Sequence, residues 1–218
     1  MTETTCHVIV TSLTELCWGH FVEYENLRDA ARKLPGLTGG TYIRWSRTTC
    51  PKSSSLIYRG KAGGSWYTSG WGSNLLCLPD DPAYLNTTSR ALFSKIRGVE
   101  FEDSGGRYFD GVLRMRERNL PCVVCKADYR ATVLMTPAST ECHDDSWTLE
   151  YQGYLMAGGP AHQQASFVCV DKDPEATDGQ DTNRNGELLH HTGIDCYTFG
   201  SSPSYKSGAE LACIVCRK

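Results

Sequence analysis

No apolar run in this sequence approaches the roughly 20 residues needed to span a bilayer, so no membrane-crossing helix is expected. Charge of one sign is also missing: the net charge is −3, which offers no field for nucleic acid or for an anionic membrane surface. Long amphipathic helical patterns are nearly absent, and no Gly-X-Y triplet run occurs. There is no nucleophile elbow and no Ser-His-Asp order, and no spacing singles out a pair of carboxylates for acid–base work. The reading is therefore non-enzymatic, with no catalytic residue, no cofactor and no resident metal.

Cysteine, by contrast, is abundant: 11 in 218 residues. Regular spacing at that density points to a disulfide framework and an oxidising compartment. Asn86-Thr87-Thr88, a glycosylation triplet, agrees with secretion. Met1-Thr2-Glu3-Thr4-Thr5 is acidic and polar, not the basic and then apolar start of a leader. The cysteines are the stronger signal. The expectation is a secreted, extracellular protein whose leader is not visible in this chain.

The cysteines also reveal a duplication. Leu120-Pro121-Cys122-Val123-Val124-Cys125-Lys126 returns as Leu211-Ala212-Cys213-Ile214-Val215-Cys216-Arg217. Cys50 to Cys77 is 27 residues, as is Cys142 to Cys169, and Cys77 to Cys122 is 45 against 44 for Cys169 to Cys213. Leu56-Ile57-Tyr58-Arg59-Gly60 answers Leu149-Glu150-Tyr151-Gln152-Gly153, and Ala62-Gly63-Gly64 answers Ala157-Gly158-Gly159. Three segments follow: an N-terminal arm or linker over 1–37, a first repeat unit over 38–130 and a second over 131–218.

Within the arm, Asn26 to Leu34 reads as a short helix stopped by Pro35-Gly36. Cys6 and Cys17 form a separate candidate pair there, and Cys196 is left over in the second unit. Thr41 to Trp45, Leu56 to Tyr58, Asn74 to Leu78, Thr132 to Met135, Thr148 to Tyr151 and Phe167 to Val170 carry strand signals. Residues 83–97 read as a second short helix, Gly60 to Gly72 as loops and tight turns, and 171–187 as an exposed acidic loop. The fold class is all-β: two tandem pseudo-symmetric units stapled by disulfides, with short helical segments.

Each Cys-x-x-Cys pair has three readings: a redox dithiol, half of a four-thiolate zinc site, or anchors for structural bridges. Val-Val and Ile-Val between the sulfurs suit a strand better than a helix start. Residues three apart on a strand face opposite ways, so the two cysteines of a pair are free to tie down different neighbours. Cys50 and Cys77 are available in the first unit, Cys142 and Cys169 in the second. Bridges are the favoured reading.

Tyr42-Ile43-Arg44-Trp45 with Thr48-Thr49-Cys50-Pro51, Tyr58-x-Gly60-x-Ala62-Gly63-Gly64, Leu76-Cys77-Leu78-Pro79, and Trp147 to Gly158 with the closing Cys-x-x-Cys resemble the C-terminal globular domain of short-chain, spongin-type invertebrate collagens. The likeness covers residues 38–218. More distantly the layout is similar to the non-collagenous C-terminal domain of type IV collagen, a tandem of two β-rich units. That resemblance implies bridges Cys50–Cys125, Cys77–Cys122, Cys142–Cys216 and Cys169–Cys213. It also implies an extracellular-matrix module that trimerises chains, with self-association and matrix proteins or glycans as partners.

The alternative is a soluble, lectin-like carbohydrate-binding protein, in which Trp66, Tyr67 and Trp71 stack on sugars; the same aromatics could equally form a subunit interface. Asp181 to Glu187 opens like a calcium loop but has Thr192 where a bidentate Glu belongs, so a plain surface loop is preferred. His190-His191 reads as an exposed pair near a strand end. Arg114, Arg116 and Arg118 read as a one-sided basic stripe on a strand, serving edge protection before sulfated-glycan binding.

Overall fold

The computed structural model describes residues 39–68, 74–84, 96–102, 115–159, 161–162, 166–177, 183–194 and 205–218. Gly39–Lys218 forms one compact unit, separate from Met1–Thr38. The strands are β1 (Thr41–Trp45), β2 (Ser54–Gly64), β3 (Leu76–Pro79), β4 (Arg97–Phe101), β5 (Pro121–Ala127), β6 (Val133–Pro137), β7 (Thr148–Ala157), β8 (Val168–Asp171), β9 (Glu187–His191) and β10 (Ala212–Arg217).

Among the described residues there is no helix. The helix expected over Asn26 to Leu34 lies outside them. Of the one expected over 83–97, residues 83, 84 and 96 have no regular structure, Arg97 opens β4, and the rest lie outside.

Seven strands close into a barrel in the order β1-β8-β7-β9-β4-β2-β5 and back to β1. The pairings among strands of residues 39–130 are antiparallel, as are those among strands of 131–218. The two seams that join these halves are parallel: β1 to β8 at Trp45↔Val170, and β4 to β9 from Val99↔Glu187 to Phe101↔Leu189. Outside the ring, β10 lies along β7 and carries β6 on its far side, while β3 lies along β2.

Strand alternation sorts the core into two clusters. One holds Trp45, Ala62, Val99, Phe101, Cys122, Met156, Val170 and Leu189, drawing on all seven ring strands, and so fills the barrel. The other holds Tyr42, Val123, Cys125, Tyr151, Leu155, Cys169, Cys213 and Val215, and packs the barrel wall beneath β10. Cys122 and Cys125, three apart on β5, fall into different clusters, as the strand period requires.

The glycine-rich stretch from Gly60 departs from expectation. Gly60 to Gly64 is not loop but the second half of β2. The glycines are there because neighbours press on the backbone, not because the chain turns. A Cβ on Gly60 would lie 1.8 Å from the Leu78 carbonyl oxygen, and one on Gly153 would lie 1.7 Å from that of Val170. Both positions bring a cysteine-bearing strand hard against a long one.

The expected exposed loop over 171–187 is also corrected at both ends. Asp171, Pro174 and Glu187 are buried, and Ala176 packs against the core. The physical reason is pairing: Arg44 Nε donates to Asp171 Oδ2 at 2.6 Å, and the Ser46 hydroxyl donates to the Glu175 carbonyl at 2.6 Å.

Candidate functional site

The eight repeat cysteines form four bridges: Cys50–Cys125, Cys77–Cys122, Cys142–Cys216 and Cys169–Cys213. These are the pairs the resemblance implies. All eight sulfurs are thereby engaged, which leaves the zinc and redox readings without thiols. Each bridge joins a closing strand, β5 or β10, to a segment far away in sequence. The inner bridges are buried at both ends, whereas Cys50 and Cys142 are half-exposed.

A buried polar network crosses between the halves beside these staples. The Glu150 side chain is 0% exposed and its Oε1 lies 2.5 Å from Arg217 Nε. That contact is ionic, since the Nε–H has no aligned acceptor. The Tyr42 hydroxyl donates to Glu150 Oε2 at 2.5 Å and the Ser54 hydroxyl at 2.7 Å. Burial, reinforced by the Glu150 carboxylate, pushes the Tyr42 hydroxyl well above the usual tyrosine range. Tyr42 stacks on Tyr151, whose own hydroxyl donates to the Ile43 and Cys169 carbonyls.

Two of the three aromatic candidates, Trp66 and Tyr67, lie at one end of the β4–β9 seam. Trp66 and Tyr67 are half-buried and follow directly on β2. The Arg97 guanidinium lies 4.9 Å from the Trp66 ring centre, and Tyr67 meets His162 edge-on at 5.1 Å. Their faces are thus committed, at least in part, to contacts within the chain. Trp71, Asn86, Cys6, Cys17, Cys196, Arg114, Asp181 and Thr182 lie outside the described residues.

Two further expectations change. His190 and His191 are half-buried rather than exposed, because His190 packs on His162 at 5.2 Å and His191 meets Tyr154 edge-on at 5.1 Å. The basic stripe does not form: Glu117 has a φ of 63°, which breaks the strand between Arg116 and Arg118. Arg116 instead pairs with Glu102 at 3.3 Å. Of the loop read against a calcium motif, Asn183 and Arg184 are exposed, and the backbone N–H of Arg184 donates to Glu100 at 3.2 Å.

At the Arg97 end of the β4–β9 seam opens a groove of about 640 Å³, with Lys61, Arg97, Glu100, Asn119, Thr177 and Arg184 among its lining residues. Glu100 is buried at its base, and burial raises its carboxyl above the usual range although the amides of Arg184, Asn185 and Gly186 pull it back. Sequence reasoning missed this feature. Its residues come from separate segments and share no spacing, so no periodic signal could have found them.

Six large aliphatic side chains of the described residues are exposed, among them Leu76 and Ile96, and four of them lie near the outer bridges. Leu56 (47% exposed) and Ile57 (49%) lie on β2, and Leu134 (48%) and Leu149 (44%) on β6 and β7. Leu134 and Leu149 are both register partners of Cys216, so they flank one disulfide on one face. Leu56 holds the matching place opposite Cys125. The outer edge of β6 makes no strand pairing among the described residues. No protein-family model matches this sequence.

Proposed function

We propose that this chain is a non-enzymatic, extracellular matrix module, built of two repeat-related halves, whose role is assembly through self-association. The single observation that carries this reading is the apolar surface formed by Leu134 and Leu149 over the Cys142–Cys216 bridge, next to the open edge of β6. Exposed aliphatics next to an unpaired strand edge are what a self-association surface needs. A trimer is the state the family resemblance implies.

The two-unit reading draws support from matched contacts. β2 pairs with β5, β3 and β4, and β7 pairs with β10, β8 and β9. β1 lies on β5 as β6 lies on β10. The Tyr58 hydroxyl donates to the Cys77 carbonyl at 3.0 Å, and that of Tyr151 to the Cys169 carbonyl at 3.1 Å. Extracellular placement is supported by the four bridges, which persist in an oxidising compartment.

Sedimentation of the disulfide-intact chain over a wide concentration range tests the proposal. A defined oligomer, reduced to monomer by Leu134→Asp with Leu149→Asp, is expected. A protein that stays monomeric at high concentration refutes it.

A further inference from the structure

We propose that the groove on the β4–β9 seam binds an acidic oligosaccharide, with Arg97 and Lys61 taking its sulfate or carboxylate groups and the Asn119–Thr177 wall taking its hydroxyls. This goes beyond the assembly reading and does not depend on it.

Charge distribution is the first argument. The chain as a whole is acidic, with a net charge of −3. Yet the groove gathers Lys61 from β2, Arg97 from β4 and Arg184 from the segment before β9. Basic side chains converging from separate segments, against an acidic background, make a local field that attracts anions. Glu100, the lining acid, is buried and accepts the backbone N–H of Arg184 at 3.2 Å, so three basic side chains face the groove against this one acid.

Preorganisation is the second. Arg97 is held by the Trp66 ring at 4.9 Å. A stacked guanidinium keeps its planar fork available for two parallel hydrogen bonds to a carboxylate or sulfate. Because the contact fixes the side chain in advance, less entropy is lost on binding.

The lining decides between an acidic sugar and an acidic peptide. Extended peptides gain affinity by adding a strand to an open sheet edge. Here each stretch of β4 already has a partner, β2 at Arg97–Gly98 and β9 at Val99–Phe101, and β2 at Lys61 is paired by β3 and β5. Recognition must therefore come from side chains. Asn119 and Thr177 offer hydrogen-bonding groups, while exposed Ile96 offers an apolar face. That mixture matches a sugar ring, which alternates hydroxyls with C–H faces. A volume of about 640 Å³ suits a short oligosaccharide better than a lone ion.

The test is calorimetric titration of the disulfide-intact chain with a heparin hexasaccharide, a hyaluronan hexasaccharide, chitohexaose and polyglutamate, with sodium sulfate as competitor. Binding of either acidic hexasaccharide, without binding of chitohexaose, is expected. Binding of heparin alone assigns sulfate, and binding of both assigns carboxylate as sufficient; each supports the proposal. Arg97→Ala and Lys61→Ala should each weaken binding about tenfold, as loss of a charge-assisted contact does. Lys206→Ala, an exposed lysine away from the groove, should change it less than about twofold. Lys61 is exposed, so its variant keeps the test decisive if Arg97→Ala folds poorly. The proposal is overturned if neither acidic hexasaccharide binds, if Lys206→Ala costs as much as Lys61→Ala, if polyglutamate binds as tightly, or if sulfate binds while both acidic sugars do not.

Discussion

Replacing Glu150 by Ala is the perturbation on which the architecture is most exposed. The carboxylate is fully buried and receives the Tyr42 and Ser54 hydroxyls at 2.5 and 2.7 Å, with Arg217 Nε at 2.5 Å. Tyr42 and Ser54 lie on β1 and β2, Glu150 and Arg217 on β7 and β10. Removing the acid strands a guanidinium whose side chain is only 13% exposed and leaves the Tyr42 hydroxyl only the longer contact to Ser54 Oγ at 3.0 Å. Breaking one side of a buried pair costs about 3–5 kcal/mol, chiefly because the other charge stays buried.

That is a large part of the roughly 5–15 kcal/mol by which domains are stable. Guanidinium denaturation with the bridges intact, followed by the fluorescence of buried Trp45, measures it. The pair as a whole is a different matter, because two desolvated charges offset much of their own attraction. The triple variant Tyr42→Phe, Glu150→Met, Arg217→Met should therefore be more stable than Glu150→Ala alone. A Glu150→Ala cost below about 1 kcal/mol, or a triple variant worse than the single, would refute the reasoning.

Removing the inner bridge by Cys77→Ala with Cys122→Ala opens a loop closed over 45 residues and should cost about 4 kcal/mol by chain entropy, read from the denaturation midpoint. Gly153→Ala must push the Val170 carbonyl, 1.7 Å from the new Cβ, off β7, and should cost about 3 kcal/mol or more. Gly98→Ala meets only the Asn119 side chain at 3.3 Å and should cost less than about 1 kcal/mol beyond its backbone effect, so equal losses from the two variants count against the packing account. Glu187 is buried with one oxygen unpartnered, and burial raises its carboxyl above the usual range despite the Ser65 hydrogen bonds. A raised folded value means that this group's contribution is present below the ordinary carboxylate range and is lost as pH rises through the folded value. Glu187→Gln should accordingly gain stability over the parent at pH 8 and lose that advantage toward pH 4, followed by urea midpoints across that range.

How much of this was legible in the sequence depends on the range of the interaction. Thr41–Trp45 was readable as β1 to the residue, because β-branched and aromatic side chains alternate there with polar ones. That these cysteines form bridges was legible because eight of them recur at fixed offsets, whereas the pairing itself came from the family resemblance. Gly60 to Gly64 misled: glycine marks a turn and a close backbone approach equally well, and only the position of Leu78 distinguishes them. Asp171 and Glu187 misled for a related reason. Acidic residues read as solvated until a partner is known, and Arg44 and Ser65 lie far away in the chain.

The same limit explains why a duplication that is plain in the sequence gave no hint of one closed barrel. Repeated spacing describes what each half does with itself, and those internal pairings are antiparallel and local to the half. Closure comes from what one half does with the other: the parallel contacts at Trp45↔Val170 and Val99↔Glu187, and the ion pairs Arg44–Asp171 and Arg217–Glu150, the latter taken up by Tyr42 and Ser54 across the boundary. The Arg44–Asp171 pair has no counterpart, since Thr136 on β6 holds the place of Arg44 and Pro79 on β3 that of Asp171. Contacts that break the repeat cannot be read from it. They are also the contacts through which residues 39–130 and 131–218 bury one core, and so either segment expressed alone should lack both seams and expose Val99, Phe101 and Val170, or their neighbours, to water.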